Sequence, residues 1–479
     1  MMLIYTVILL PVVSAFVAAL LPNDRLRSYL VPTTAIPHLA LVIYVLSHRP
    51  PVTADGMFGL DALGALILLL VSVIFAANSI YALGYFKCHV NWSNRTFVIC
   101  LLLFLAAMSM ATAARHLGLL WVAVEATTLV SAPLIYYNRS RFSIEATWKY
   151  LLLCSVGIAL AMLGILFVAY AGLHGSGHAH ITMGHLLASA STYSKPWLRA
   201  GFVFLLVGFG TKMGLAPLHT WKPDAYGEAP GIVGGLLAGG LTSVAFLAIL
   251  RAVQIMEAAG EQQLCRQALL GMGITSLLFA AIFVIQQKDI KRMLAYSSVE
   301  HMGILVIGVA VGGLAAYGAM FHVVNNALTK SALFLSAGNI HRYYGSKRRC
   351  EIHGALHALP FSAAVFLLGF LAITGSPPFG PFLSEFSILR GIFNGGHFYL
   401  GATFIFLLVI IFIGMGGTVL PVTLGPTFDE VDSPYFRETV LTVISPALLL
   451  AVVLLLGLCL PAPLHEMFTQ AAALVEINR

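Results

Sequence analysis

Long apolar stretches recur along the whole chain and restrict its fold more than any other feature. The first, residues 2–21, contains no charged residue, and comparable stretches follow as far as residue 460. An apolar segment of about 18 residues or more can cross a bilayer as a helix. Of the 479 residues, 59% are hydrophobic and 9% are charged, whereas a soluble domain has about 25% charged residues. The sequence therefore predicts an all-α polytopic membrane protein.

About fourteen membrane spans are predicted from these stretches. They lie near residues 2–21, 29–46, 59–83, 96–115, 117–137, 148–171, 200–221, 230–251, 267–286, 293–313, 315–340, 357–393, 400–422 and 439–460. Helix 7 contains Gly214 and Pro217, and helix 12 contains the sequence Gly-Ser-Pro-Pro-Phe-Gly-Pro at 375–381. Both are predicted to be broken helices, which membranes tolerate where the freed backbone faces protein or water.

The spans also indicate an internal repeat. The sequence WVAVEATTL at 121–129 resembles YSSVEHMGI at 296–304, and the two broken helices place Lys212 and Glu385 in nearly the same register. Two tandem units of five spans each must be inverted relative to one another, because five is odd. The predicted division is 1–95 for helices 1–3, 96–256 for the first five-helix repeat, 257–425 for the second, and 426–479 for helix 14.

The distribution of Lys and Arg predicts the orientation. Sixteen of the 26 basic residues, Lys222 among them, fall in loops on one side, and eight, including Arg49 and Arg479, fall on the other. Basic loops stay in the cytoplasm, so both termini are expected outside. The formal charge of +7 follows from this asymmetry, and no nucleic-acid partner is inferred.

The cysteines and the loop histidines argue against a cofactor or metal site in this chain. Six cysteines, at positions 88, 100, 154, 265, 350 and 459, form no C-x-x-C pair, and this spacing argues against iron–sulfur ligation. Four histidines in HGSGHAHITMGH, residues 174–185, have spacings that fit no tight metal template. The sequence predicts no metal ligands and no cofactor-binding residues.

Several ionisable residues are predicted to lie at membrane depth. A charge at the bilayer centre costs at least about 2.5–3.5 kcal/mol, so such residues usually face a polar interior and mark ion or proton paths. The alternative is a buried ion pair or a polar contact that joins two helices. The candidates are Glu125, Lys212, His219, Glu300, His301, His322, Lys330 and Glu385.

Four motifs resemble one known family. The run KMGLAPLHTWKPDAYGEAP at 212–230 is similar to a signature of the antiporter-like subunits of respiratory complex I and their relatives. DIKRMLAYSSVEHMG, NALTKSALFLSAG and PPFGPFLSEF follow in the family's order. Within the family, the chain looks most like the hydrogenase 4 and formate hydrogenlyase branch, the membrane arm of group 4 nickel–iron hydrogenases. The resemblance implies the fourteen-helix antiporter fold.

The resemblance also implies roles for individual residues. Glu125 matches the glutamate of the fifth helix, Lys212 the lysine of the first broken helix, Lys330 the lysine or histidine of the eleventh, and Glu385 the acid of the second broken helix. Ser243 stands where relatives usually carry a bridging lysine. The central relay is then expected either to run through His219, water, His322 and Lys330 or to be weaker than in complex I.

Lys149 and His301 are secondary candidates, as is Glu300. Lys149 and His301 match family positions but are expected near the membrane boundary, where capping and snorkelling compete with a proton role.

The resemblance implies a proton-translocating subunit of a membrane redox complex in a bacterial or archaeal inner membrane. Nickel–iron and iron–sulfur centres are expected in hydrophilic hydrogenase-like or quinone-reductase-like partners, beside other antiporter-like and small membrane subunits and membrane lipid. The alternatives are an Mrp-like Na⁺(K⁺)/H⁺ antiporter subunit, a complex I membrane subunit proper, or a structural scaffold whose buried charges are dispensable.

We expect the isolated chain to carry no redox centre. It lacks a C-x-x-C pair, a haem motif and a glycine-rich dinucleotide loop. Absorption spectroscopy and metal analysis of the chain, purified away from its partners, should detect no visible chromophore. Stoichiometric iron or nickel retained by the chain would contradict the prediction.

Overall fold

The computed structural model describes residues 2–48, 52–53, 56–87, 93–285, 287–426 and 436–476. Within these ranges the chain is almost entirely helical, and extended pairing is limited to isolated bridges such as Phe58 with Ala114. Arg49, Cys88 and Arg479, which entered the sequence predictions, lie outside the described residues. The predicted all-α class is confirmed.

The helices follow one another with short connections. In chain order they are α1 (Met2–Leu20), α2 (Asp24–His48), α3 (Ala62–Lys87), α4 (Arg95–Ala113), α5 (Leu117–Ile135), α6 (Arg141–Ser176), α7 (Met183–Ser189), α8 (Lys195–Met213), α9 (Trp221–Glu228), α10 (Gly231–Leu236), α11 (Thr242–Ala258), α12 (Gln262–Val284), α13 (Ile290–Val311), α14 (Leu314–Tyr344), α15 (Ala355–Ala358), α16 (Pro360–Ile373), α17 (Gly380–Asn394), α18 (Phe398–Leu424), α19 (Val440–Leu458) and α20 (Ala462–Ala473).

Eleven helices in the described part of the chain are long and apolar enough to cross a membrane. One of them runs over α10, a π-helical segment at Leu237–Leu241 and α11. The helices α8 and α14 are also long, but polar residues, Lys212 and Lys330 among them, lower their hydropathy. The apolar helices support an integral membrane protein.

Both predicted helix breaks are present. The first helix, α8, ends at Met213, and Gly214 has a φ of 80°, a left-handed conformation that favours glycine. The chain becomes helical again only at Trp221. The second break separates α16 from α17, between Ile373 and Gly380. The first break places the non-helical backbone of Gly214 to Ala216 inside the bundle, whereas the second is partly exposed at Pro377 and Pro378.

The centre of the bundle is formed by the helices that carry most of the candidate residues. The spans Gly231–Ala258 and Ile290–Val311 are buried along nearly their whole length, whereas most of Leu3–Leu20 is exposed or only partly buried. The buried part of α14 runs from Ala315 to Ile340 with few interruptions. Polar side chains on these central helices therefore face protein and not lipid.

A buried ion-pair network closes one end of the bundle. Arg251, which is 1% exposed, donates two hydrogen bonds to Asp61, and Arg115 Nη1 donates a third at 2.8 Å. Burial alone would raise the pKa of the Asp61 carboxyl, but the hydrogen bonds and charge of Arg251, with the charge of Arg115, lower it to about 2. This network joins α3, α11 and the segment that leads into α5.

We expect Asp61→Asn to destabilise the chain by about 3 kcal/mol, the low end for breaking a buried ion pair, because Asp61 is partly exposed. This stabilisation is complete above the ordinary pKa of 3.8 and is lost as the pH falls towards 2. The measurement is the melting temperature of the purified protein in detergent.

Glu351→Gln is the matched control. Its carboxylate lies 3.6 Å from Arg348 in an exposed pair, and such pairs contribute about 0–1 kcal/mol. Equal melting temperatures for the two variants would show that the Asp61 network is not a structural anchor.

Candidate functional site

The first buried cluster joins α5 to α8 through a hydroxyl group. Lys212 Nζ, which is fully buried, donates a hydrogen bond of 2.7 Å to Thr128 Oγ1. The same hydroxyl donates to Glu125 Oε2 at 2.9 Å. Thr128 follows Glu125 by three residues, so both side chains lie on one face of α5. A proton could pass between the carboxylate and the ammonium through this hydroxyl.

Further hydroxyl groups extend this cluster. Lys212 Nζ also donates to Tyr150 Oη at 2.9 Å, and Tyr150 hydrogen-bonds Ser131 Oγ at 2.7 Å. On the other side, Ser155 Oγ donates to Glu125 Oε1 at 3.1 Å. The side chain of Glu125 is only half-buried in the single chain.

The interaction of Glu125 with Lys212 is not a direct ion pair. No ion pair joins these two residues in the part of the chain that the structure describes. The physical reason is that the Thr128 hydroxyl occupies the position between them. The interaction is therefore indirect and depends on a neutral residue.

The second buried cluster is built from α13, α14 and α17. His301 Nδ1 and His322 Nε2 are 3.0 Å apart, and His322 Nδ1 is 2.9 Å from Ser384 Oγ. His301 Nδ1 also lies 4.0 Å from Glu385 Oε1. His301 sits in the middle of α13 and is fully buried. The expectation that it lies near the membrane boundary is wrong.

Glu300 and Lys330 complete this cluster. Glu300 Oε2 accepts a hydrogen bond of 3.2 Å from Ser297 Oγ and lies 3.9 Å from His301 Nε2. Lys330 is fully buried, and its ammonium donates to the backbone carbonyl of Leu294 at 3.2 Å. Leu294 and Ser297 are one turn apart, so Lys330 and Glu300 lie along the same stretch of α13. Carboxylates, imidazoles and an ammonium thus share one interior region.

The second helix break makes room for Glu385. Gly375 has a φ of 69°, and a Cβ atom at this position would overlap Glu385 Oε2. Glu385 Oε1 has no hydrogen-bond partner within the described chain. The carboxylate lies beside a cavity of about 280 Å³ lined mostly by apolar residues, including Phe382 and Phe404. It therefore lies where the broken helix opens towards the side of the bundle.

His219 lies in the first helix break, but the structure does not join it to His322. Its ring packs against Phe279, with the ring centroids 5.4 Å apart, and against Tyr296. Nδ1 of His219 has no hydrogen-bond partner in the described residues. The expected step from His219 to His322 would need water between them.

Lys149 lies apart from both clusters. Its ammonium pairs with Glu145 at 2.7 Å and with Asp224 at 3.0 Å, and the side chain is 47% exposed. Arg292 also pairs with Asp224, at 3.1 Å. This arrangement is an ion-pair network at the end of the bundle opposite Arg251, where the sequence analysis had expected a boundary residue.

The hydroxyl of Ser243 is poorly placed for proton transfer. It is buried, but its hydroxyl donates to the carbonyl of Gly239 in the preceding turn, at 2.6 Å. Because that proton is bound to the residue's own helix, Ser243 donates no hydrogen bond to either cluster among the residues that the structure describes.

Lys222 is a buried residue that the sequence did not predict. It was assigned to a loop, but the structure buries it completely on α9, where its ammonium has no hydrogen-bond partner among the described residues. The hydropathy signal ended at the helix break, so the following short helix was taken as solvated. The sequence feature that could have identified it is its position between Trp221 and Pro223, directly after the first helix break.

Three of these residues could be considered as metal ligands. One ligand atom each from His301, His322 and Glu385 lies within 4.8 Å of the others. However, the two imidazoles hydrogen-bond each other directly, so one facing nitrogen acts as a proton donor and the other as an acceptor. The geometry therefore suits proton exchange, and we assign no metal site.

The part of the chain that carries this site matches a known protein family. A family described as "NADH:quinone oxidoreductase/Mrp antiporter, TM" matches residues 114–411. This range contains both helix breaks and every candidate residue named above.

Two relatives and one solved structure illustrate the similarity. The chain is 32% identical over 398 residues to "Hydrogenase-4 component F homolog" of Methylacidiphilum infernorum, covering 81% of this chain and 83% of the relative. It is 32% identical over 356 residues to NADH-quinone oxidoreductase subunit N of Desulforudis audaxviator, covering 74% and 70%. A chain of the membrane-bound sulfane sulfur reductase, an archaeal respiratory membrane complex, has the same fold, with a TM-score of 0.89, 21% identity and coverage of 99% and 98%.

Proposed function

Because the chain belongs to the NADH:quinone oxidoreductase and Mrp antiporter family of membrane subunits, we propose that it moves protons across the membrane. The observation that supports this most directly is the pair of buried clusters, each of which combines carboxylate, ammonium or imidazole groups with hydroxyls. Ionisable groups inside a membrane bundle are costly, and they commonly belong to ion or proton paths.

The first cluster exchanges protons between Glu125 and Lys212. Thr128 accepts from the ammonium and donates to the carboxylate, so a shift of both hydrogens moves a proton without moving either charged side chain far. The carboxylate favours the protonated lysine, and neutralising the carboxylate weakens that preference. This pair then acts as a switch whose setting depends on the charge of Glu125.

The second cluster carries the proton from Lys330 towards Glu385. Lys330 bonds the backbone of α13 at Leu294, six residues before Glu300, and His301 lies within 4.0 Å of both Glu300 and Glu385. The hydrogen bond between His301 and His322 lets one imidazole release a proton as the other receives one. Glu385, beside the second break, is the terminal acid.

We also propose that the chain crosses the membrane fourteen times. The eleven apolar helices become fourteen spans when α8 with α9, α14, and α16 with α17 are counted as crossings. Helices 4–8 and 9–13 then form two inverted repeats, each with one broken helix. Both termini lie outside in a bacterial or archaeal cytoplasmic membrane.

We propose that this chain works within a complex. Its similarity to a hydrogenase-4 component F homolog and to an NADH-quinone oxidoreductase subunit favours a redox-driven complex with nickel–iron or iron–sulfur centres in hydrophilic partners. A tag on this chain should copurify such partners with other membrane subunits. Cation/proton exchange without any redox partner would instead favour an Mrp-like antiporter subunit.

We expect Thr128→Val to lower proton movement about tenfold or more, because it removes hydrogen bonds to two charged groups, each contributing about 1.5–3 kcal/mol. The measurement is acidification of proteoliposomes that contain the tagged complex, per electron transferred. Thr127→Val is the control, since within the described residues that hydroxyl bonds only to its own helix, at Val124. Equal pumping by the two variants would rule out the bridging role of Thr128.

Lys330→Arg tests the proposed function itself. A guanidinium remains protonated at accessible pH and cannot release its proton, so we expect pumping to be abolished, as in Lys330→Ala. Lys347→Arg is the control, because Lys347 pairs with Glu228 and Asp289 at the end of the bundle. Wild-type pumping by Lys330→Arg would identify Lys330 as a fixed countercharge.

A further inference from the structure

Lys222 is a fully buried charge that the proposed path does not use. It is 0% exposed, and its ammonium has no hydrogen-bond partner within the described chain. An ammonium buried in this way is strongly disfavoured unless water, another charge or proton loss compensates it. Asp224, two positions along the same short helix, is already paired with Lys149 and Arg292.

The first helix break is shaped around this side chain. A Cβ atom at Gly214 would overlap Lys222 Cε and would lie 2.8 Å from Lys222 Nζ. Gly214 therefore both turns the backbone and leaves the space that the lysine fills. Lys212 lies near the end of α8, two residues before Gly214, and Lys222 lies at the start of α9. The two lysines therefore flank the same helix break in the sequence.

On one side, Lys222 adjoins the first cluster. Trp221 packs near Tyr150, with ring centroids 5.0 Å apart, and Tyr150 accepts a hydrogen bond from Lys212. Trp221 Nε1 also donates to the backbone carbonyl of Thr211, the residue before Lys212, at 2.8 Å. These contacts place the Lys222 ammonium in the same interior region as Lys212.

On the other side, Lys222 adjoins α14. The Lys222 ammonium lies 5.9 Å from the centre of the Tyr226 ring, and that ring packs on the ring of Phe334, one turn beyond Lys330, at 5.5 Å. The Tyr226 hydroxyl and the Asn326 side-chain amide are both buried without a hydrogen-bond partner in the described chain. Polar atoms that water could join therefore lie on the side towards Lys330.

We infer that Lys222 is a proton carrier that connects Lys212 with Lys330, an inference that rests on the proposed function. In each step the ammonium of one lysine loses one N–H proton to bound water and becomes a neutral amine. The water passes a proton to the neutral amine of the next lysine, so one N–H bond breaks, one forms and no electrons move.

The ammonium groups of Lys222 and Lys330 repel each other when both are protonated. This repulsion couples the protonation of the two lysines whichever way the proton moves. Two like charges near one another in a poorly solvated interior destabilise each other strongly. A proton that arrives on Lys222 therefore favours release from Lys330, and a proton that leaves Lys330 favours uptake by Lys222. A lysine that served only as a fixed countercharge would need an acidic partner, which the described structure does not give it.

The test uses Lys222→Met and Lys222→Arg in the complete tagged complex, reconstituted in proteoliposomes. Met removes the charge in a site that can accept an apolar chain, and Arg keeps the charge but cannot release its proton. We expect both variants to assemble, and proton movement per electron to fall at least tenfold in each.

Lys291→Met is the matched control. Lys291 is also buried, but its ammonium is hydrogen-bonded to the carbonyl of Ala229 at 3.1 Å. Proton movement in this variant should stay within twofold of the wild type.

Three results would overturn the inference about Lys222. They are unchanged pumping by Lys222→Met, wild-type pumping by Lys222→Arg, and, should Lys222→Met fail to assemble, wild-type pumping by Lys222→Gln. Absence of pumping by the wild-type complex would instead contradict the proposed function, so the two failures are distinguishable.

Discussion

The cost of holding charge inside a membrane explains how this bundle is arranged. Lys212 and Lys330 are fully buried, and at membrane depth such groups are stable only where protein or water replaces the lipid. Lys330 lies on α14 and bonds α13, and these two helices, with α11, are the most enclosed part of the structure. Peripheral helices such as α1 consist almost wholly of apolar residues and provide the contact with lipid.

At both helix breaks a glycine leaves space for a polar side chain. Each contains a glycine with positive φ, Gly214 at 80° and Gly375 at 69°, and each glycine lies against a polar side chain that a Cβ atom would displace. At the first break this is the stem of Lys222, and at the second it is the carboxylate of Glu385. The breaks therefore interrupt the helix and also create space for an ionisable group.

Neutral hydroxyl groups connect the ionisable residues through hydrogen bonds. Thr128 separates Glu125 from Lys212, and Ser384 hydrogen-bonds His322. A hydroxyl can donate and accept at once, whereas a direct ion pair would hold its proton on the basic partner. Indirect contacts of this kind suit a path whose charges must change.

The sequence by itself determined the class of the fold, both helix breaks and most of the ionisable residues, because hydropathy, glycine, proline and charge act locally along the chain. It did not determine which residues touch. The Thr128 bridge, the central position of His301 and the burial of Lys222 depend on how separate helices pack, and identical local sequence could place Lys222 in water. Only the tertiary structure decided these points, because burial of a side chain is set by its neighbours in space and not by its neighbours in sequence.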